Sequence, residues 1–341
     1  MSSSPPPELS VGDSASDYVS IGVLRSLGQI RGGLVARAIA FNWAVIVASL
    51  VGAIWVNHPA VYVAAGLLVG NRQYALLLLV HECAHYLFRR RNTEGRALPW
   101  ATNDLIGNVF CAWPVGISVQ RYRDLHFQHH KHLGTERDPD HEYYCERVTR
   151  ARLVRLVCNG LLGVRALVTV ALYYLPGRAS AVPAPTTKAV EGAKAGSARG
   201  RGVMVGLVGT QLVIMGAFVA SGHWWAYGLL WLLPILTIVP TLNHLRTTAE
   251  HAPDLVPAGA TPLPITRSNL ANLFERELLG PVQFFYHHEH HLYPSVPFYN
   301  LAALNRVLIE TNYYQRRQGS LKGSYFATLG ELSRAADQAA D

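Results

Sequence analysis

Residues 60–85 read AVYVAAGLLVGNRQYALLLLVHECAH. An apolar run close to the ~20 residues needed to cross a bilayer leads directly into His81 and His85. One helix thus carries a membrane signal and, at its end, a pair of imidazoles four residues apart. Asn71-Arg72-Gln73 interrupts the run, and a charge at mid-depth is costly unless it faces protein or water. Arg72 is therefore read either as a functional residue or as a sign that the span is shifted.

The composition agrees with a membrane setting. Of 341 residues, 50% are hydrophobic and 15% charged, against roughly 25% charged in soluble globular domains. The apolar residues form blocks: 35–56, 60–80, 203–221 and 224–243. We read these as four spans. The formal charge of +8 sits on Arg and Lys residues that flank the blocks without interleaved stacking aromatics. This pattern marks topology and argues against nucleic acid as a partner. Cys83, Cys111, Cys145 and Cys158 show no paired spacing, so reduced thiols are expected.

Between the two pairs of spans lie segments that do not read as crossings. Residues 104–119 are short and broken by Gly and Pro, which suits an interfacial piece. Residues 151–175 could span by length, but Arg152, Arg155 and Arg165 suggest an amphipathic helix lying in the membrane surface. If it lies flat, every histidine cluster falls on one face. Arg89-Arg90-Arg91 and the basic loop 176–202 place that face in the cytoplasm. Residues 1–33 are expected to be a mobile cytoplasmic tail and 316–341 a C-terminal tail, with the membrane domain at 34–315. Helices are expected near 268–279 and 297–315. The fold class is an all-α integral membrane protein with four transmembrane helices and a cytosolic histidine-rich cap.

The chemistry lies in three spacings. His81 and His85 share a helix face, as do His126, His129 and His130, and again His287, His290 and His291. His132 and His288 point away from those faces. His251, beyond the fourth span, is a ninth candidate. Imidazole suits Zn, Cu, Fe and Ni, yet a structural zinc stops at four ligands. Eight or nine imidazoles suit two ions. Glu82, Asp124, Glu250 and Glu289 lie near enough in sequence to hold ring N–H groups from behind. Asp138-Pro139-Asp140 reads as a turn, with a similar supporting role open to Asp138.

HxxxH, HxxHH and HxxHH in this order, after the second span, mid-chain and near the C-terminus, resemble the membrane fatty acid desaturase and hydroxylase superfamily over roughly residues 40–305. The run His291–Leu301 and the pair Glu250-His251 are similar to bacterial desaturase-like proteins that include dihydrorhizobitoxine-type desaturases. The resemblance implies a centre of two Fe ions on the cytosolic face, O2 as oxidant, and a ferredoxin or cytochrome b5-type electron donor. It also implies an acyl-lipid, acyl-CoA or acyl-carrier-protein substrate. His251 matches the relatives' extra ligand, and His244, nearer the membrane end of its span, is the rival. The implied setting is a multi-pass protein among membrane lipids, in the cell membrane if the source is bacterial. The expected reaction is desaturation of an acyl or alkyl chain, with hydroxylation as the alternative outcome. A non-enzymatic membrane metal-binding or transport protein is the reading from another class. Transport would need ionisable ligands inside the spans, whereas these histidines lie beyond the span ends.

Overall fold

The computed structural model describes residues 18–89, 99–144, 147–164, 198–252, 265–317 and 319–338. Among them the fold is helical, with one short parallel bridge. Four helices are long and apolar enough to cross a membrane: Gly32–Val56, Pro59–Ala84, Gly202–Ala220 and Trp224–His251.

Ile21–Leu27 is α1, Gly32–Val56 is α2 and Pro59–Ala84 is α3. Asn57 closes α2 at a left-handed φ of 49°, a conformation that Asn tolerates better than most residues. Pro59 then starts α3, where a missing N–H costs nothing, and the His58 ring accepts from Ala60 N at 3.2 Å. On α2, Ile46 and Ala53 are buried while Val47, Val51 and Trp55 are exposed, as expected of a helix with one face toward lipid. By contrast α3 is central and buried through most of its second half.

α4, Pro99–Gly107, continues through a π-turn at Asn108–Ala112 and a 3-10 turn at Trp113–Val115. This broken segment occupies the stretch expected to be interfacial. α5, Val119–His132, carries the second histidine cluster and is capped by Ser118, whose hydroxyl accepts from Arg121 N. α6 covers Arg150–Leu161, 12 residues, or about 18 Å at 1.5 Å per residue, short of a ~30 Å hydrocarbon core. Gly160 lets α6 approach closely: an added Cβ would lie 2.1 Å from Thr241 Oγ1. The expected interfacial helix from Arg165 onward lies outside the described residues, as do Cys145 and nearly all of the basic loop 176–202.

α7 is Ala198–Ala220, and α8 is Trp224–His251 with a π-turn at Tyr227–Leu232. α8 packs on α3 so tightly that a Cβ on Gly70 would sit 2.7 Å from Ile238 Cβ. The cap follows: α9 Leu273–Leu279, α10 His287–Leu292, α11 Phe298–Glu310, α12 Tyr313–Arg316 and α13 Tyr325–Gln338. The expected helix at 268–279 starts later, at Leu273, because Ser268 and Asn269 pair in parallel with Leu321 and Lys322 and Asn272 caps α9.

Both expected tails are packed where they are described. Tyr18 meets the Tyr313 ring edge-on, and the Tyr299 hydroxyl accepts from Arg31 N at 2.6 Å. At the other end Tyr325, Leu329, Leu332 and Ala336 are buried. Apolar side chains at helical spacing give α13 a face to bury, so the folded body extends well beyond residue 315.

Arg72 serves packing. Its Nη2 donates to Glu277 Oε2 at 2.9 Å and to Glu277 O at 3.3 Å. Asn71 Nδ2 donates to Glu277 O and Leu278 O, and Tyr74 OH to Leu279 O at 2.8 Å. A helix ends with unsatisfied carbonyls and a partial negative charge. These three side chains of α3 close the C-terminal end of α9.

Candidate metal centre

The three clusters and His251 meet at one place. Their donor nitrogens form two groups, each with its atoms within 4.8 Å of one another: His81, His85, His126, His130 and His290, and then His129, His251, His287 and His291. α3 delivers His81 and His85 from its C-terminal end, α5 delivers three rings from one face, and α10 delivers three more. His251 is the last residue of α8. Adjacent rings on α5 and α10 divide between the groups, so each of these helices serves both.

The contacts within the groups do not suit a hydrogen-bond network. His126 Nε2 lies 2.8 Å from His85 Nε2 and 2.9 Å from His130 Nε2. In the other group, His287 Nε2 lies 2.8 Å from His251 Nε2 and 3.0 Å from His291 Nε2. A neutral imidazole has one N–H and one lone pair, so a single nitrogen cannot satisfy two others in this way. Both ring nitrogens of His81 are buried without a hydrogen-bond partner. Converging lone pairs fit a cation, and two groups of five and four donors fit one ion each.

Electrostatics keep these donors neutral. Burial, then neighbouring imidazoles, hold His126, His290 and His291 well below the usual imidazole range. Burial does the same for His85 and His287, and it pushes His130 down to about 3. Neutral imidazole is the form that binds metal. His129 is the exception: burial lowers it, but the hydrogen bond it donates to Asp138 and the charges of Asp140 and Asp138 outweigh burial and raise it.

The carboxylates separate into two roles. His129 Nδ1 donates to Asp138 Oδ1 at 2.9 Å, whereas Glu250 Oε2 lies 3.4 Å from a His287 Nδ1 that makes no hydrogen bond. Glu82 reaches His81 Nδ1 only at 3.6 Å, while its Oε2 accepts from Phe298 N at 2.9 Å and caps α11. Glu289 turns from the ligands altogether and accepts from Ser268, Asn305 and Tyr314. Asp124 is exposed on α5. The supporting role that the sequence left open to Asp138 is filled at His129, whereas Glu289, offered the same role, serves the cap. The chain bends back through Gly134, at φ 77°, and this turn brings Asp138 under His129. Helical spacing from the cluster cannot reveal such a contact.

The remaining histidines lie elsewhere. His288 packs into the cap, with Nδ1 2.6 Å from Thr266 Oγ1 and Nε2 2.9 Å from Tyr313 OH. His244 is buried with its ring against Tyr143 and belongs to neither donor group. Aromatic rings wall the centre: Phe284 lies 4.5 Å from the His81 ring and 5.3 Å from His287, Tyr122 stacks 5.6 Å from His126, and Phe127 lies 5.5 Å from His85.

Comparison with known proteins agrees with this architecture. The family model for fatty acid desaturases matches residues 57–319. The dihydrorhizobitoxine desaturase of Bradyrhizobium elkanii is 27% identical over 317 residues, which cover 88% of this chain and 83% of that protein. With a family match over most of its length, and with histidine clusters that could hold metal at the ends of apolar helices, the chain belongs to the fatty acid desaturase family of oxidoreductases.

Proposed function

We propose that the protein is a membrane-bound, O2-dependent diiron desaturase that introduces a C=C bond into an acyl or alkyl chain of a fatty acid or acyl-derived metabolite. The observation that carries this is the pairing of five and four imidazole donors at one site. Family membership supports iron as the metal. The overall change is R–CH2–CH2–R′ + O2 + 2 e⁻ + 2 H⁺ → R–CH=CH–R′ + 2 H2O. The electrons come from a separate ferredoxin or cytochrome b5-type donor.

His81, His85, His126, His130 and His290 would hold one ion, and His129, His251, His287 and His291 the other. Bound there, the two irons supply activation of O2 and oxidation of an unactivated C–H bond. The chain's own residues provide position and dryness. Asp138 holds the Nδ1 edge of His129 outward, which leaves its Nε2 for the centre, and the Glu250 carboxylate lies 3.4 Å from His287 Nδ1. Phe284 and Tyr122 pack on the imidazoles and exclude water from that side. The buried run Leu76, Leu78, Leu79 and Val80 immediately precedes His81, so an apolar substrate can approach from the membrane side of the ligands.

Convergence of all three clusters supports one membrane face for them, and hence a flat segment 151–175. The flanking arginines favour the cytosolic face. That the donors cluster at helix ends also argues against a transport path lined within the bundle.

Elemental analysis of the detergent-purified chain tests the reading. About two irons per chain, lost in His290→Ala, followed by a product lighter by two hydrogens in a reconstituted assay with donor and O2, are the expected results. A product heavier by one oxygen would make the enzyme a hydroxylase. One zinc, or no stoichiometric metal, would overturn the proposal.

A further inference from the structure

Nothing in the sequence singles out Tyr144, yet its side chain meets the surroundings of two histidines of one donor group, His129 and His251. Asp138 accepts from His129 Nδ1, which lies 2.9 Å from Oδ1 and 3.0 Å from Oδ2. Each oxygen of that carboxylate is held from its other side. Asp140 N donates to Oδ1 at 2.8 Å, and the Tyr144 hydroxyl donates to Oδ2. The Tyr144 oxygen in turn accepts from Gly134 N at 3.0 Å. A phenol has one proton to give and lone pairs with which to receive, so this hydroxyl is used in both directions.

The Tyr144 side chain is itself fixed. It is buried, and its ring lies 5.5 Å from the His251 ring. A 3-10 turn at His141–Tyr143 delivers it, with Tyr144 N donating to His141 O at 3.1 Å. That turn is tied to α8, because Thr248 Oγ1 donates to Tyr143 O at 3.1 Å, one turn before His251. At the other end Gly134 adopts φ 77°, a conformation that glycine takes without strain. The amide received by Tyr144 is therefore the one at which the chain turns back after α5.

A carboxylate that accepts a ligand's second N–H fixes the ring and raises its basicity. It can do so only while its own orientation is fixed. The Asp140 amide is two residues from Asp138 and moves with the same turn. Tyr144 instead joins the carboxylate to the chain just beyond the last turn of α5, which carries His129. The hydroxyl thus links the ligand's helix to the acid behind the ligand.

We propose that Tyr144 is a positioning residue of the metal centre: through Asp138 it sets the orientation of His129, and thereby the affinity of the four-histidine position for its ion. The inference rests on the metal-site reading above. The competing role for the hydroxyl is closure of the turn between Gly134 and Tyr144 alone, and the two roles differ in what they couple to.

The test is anaerobic Fe(II) titration of the full chain in detergent, with the melting temperature of each metal-free variant read alongside. Tyr144→Phe keeps the ring against His251 and should weaken one of the two irons by about 10-fold, the low end for a partner behind a ligand ring. The other iron should keep its wild-type affinity, which also reports that the variant has folded. Asp138→Asn should weaken the same iron by about 10–100-fold. The double variant should bind no more weakly than Asp138→Asn, because the hydroxyl acts only through that carboxylate. Tyr313→Phe removes a buried hydroxyl that meets His288 and should leave both irons unchanged. A Tyr144→Phe chain that melts lower but binds both irons as wild type does would overturn the inference. So would losses that add in the double variant, a loss spread over both irons, or an equal loss in Tyr313→Phe. Each of these leaves the diiron reading in place, whereas failure of the wild-type chain to bind iron would overturn both.

Discussion

Arg72, near the middle of a helix long and apolar enough to cross a membrane, donates from Nη2 to Glu277 Oε2 at 2.9 Å. Its value lies in the end of α9 that it closes, together with Asn71, more than in the ion pair, since the Glu277 side chain is 53% exposed and exposed pairs contribute little. Arg72→Met should lower stability by about 1–3 kcal/mol, the cost of leaving buried polar groups unpaired. Asn71→Leu should do the same, and the double variant should cost less than the sum because both donors serve Glu277 O. Thermal melting of the iron-loaded protein in detergent checks this. Additive losses would show that the two side chains act separately.

Phe284 contacts more of the centre than any helix-spacing rule suggests. Its buried ring lies against His81, His287 and His290, and the Arg246 guanidinium sits 4.6 Å above it. Phe284→Ala should cost about 3–5 kcal/mol, typical of a buried aromatic truncation. Phe284→Leu should recover most of that. Melting curves of the two variants give the comparison, and a Leu variant as weak as Ala would point to the cation–ring contact instead of volume.

Acid should destabilise the metal-free chain. Burial pushes His130 and His288 down to about 3, whereas the unfolded chain protonates near 6.5. Between those values the unfolded state binds more protons, so stability is complete above about pH 6.5 and is lost as pH falls toward 3. At pH 5.5 each such histidine costs about 1.4 kcal/mol. His129, raised by its carboxylates despite burial, acts in the opposite sense, as does Glu289, raised by burial against its three hydrogen bonds. The depressed histidines outnumber them. The melting temperature of chelated protein should therefore fall between pH 7.5 and 5.5, and a constant or rising value would contradict neutral, buried imidazoles.

Short-range physics made much of this molecule legible. His81 and His85, and the i, i+3, i+4 sets at 126–130 and 287–291, declare their shared faces through helical periodicity alone. Apolar length marks α2, α3, α7 and α8. What stayed hidden depends on contacts distant in sequence. Nothing near His287 announces Tyr325, because α11 and α12 lie between them in sequence. The segments read as tails at 18–33 and 319–338 look ordinary until their partners on α11, α12 and α8 are in place. Likewise Arg72 could not be assigned before α9 was seen to end against it.

Glu250 and Glu289 show the same limit and allow it to be tested. Each adjoins a candidate ligand, His251 or His290, and sequence gives no ground for telling them apart. Glu250 faces His287, whereas Glu289 accepts from Tyr314 OH at 2.5 Å and from Ser268 and Asn305, on the side of α10 away from the ligands. Glu289→Gln places an NH2 among three donors and should cost about 1–3 kcal/mol of stability, with iron affinity kept in the protein that folds. Glu250→Gln, which removes the charge 3.4 Å from His287 Nδ1, should weaken iron binding by about 10-fold, the low end for a partner behind a ligand ring. Iron content at buffered free Fe(II), read beside the melting temperature of each metal-free variant, separates the two. If Glu289→Gln loses iron as readily as Glu250→Gln at matched stability, then facing a ligand ring is not what distinguishes these carboxylates, and the nearness of the Glu250 charge to His287 fails as an explanation.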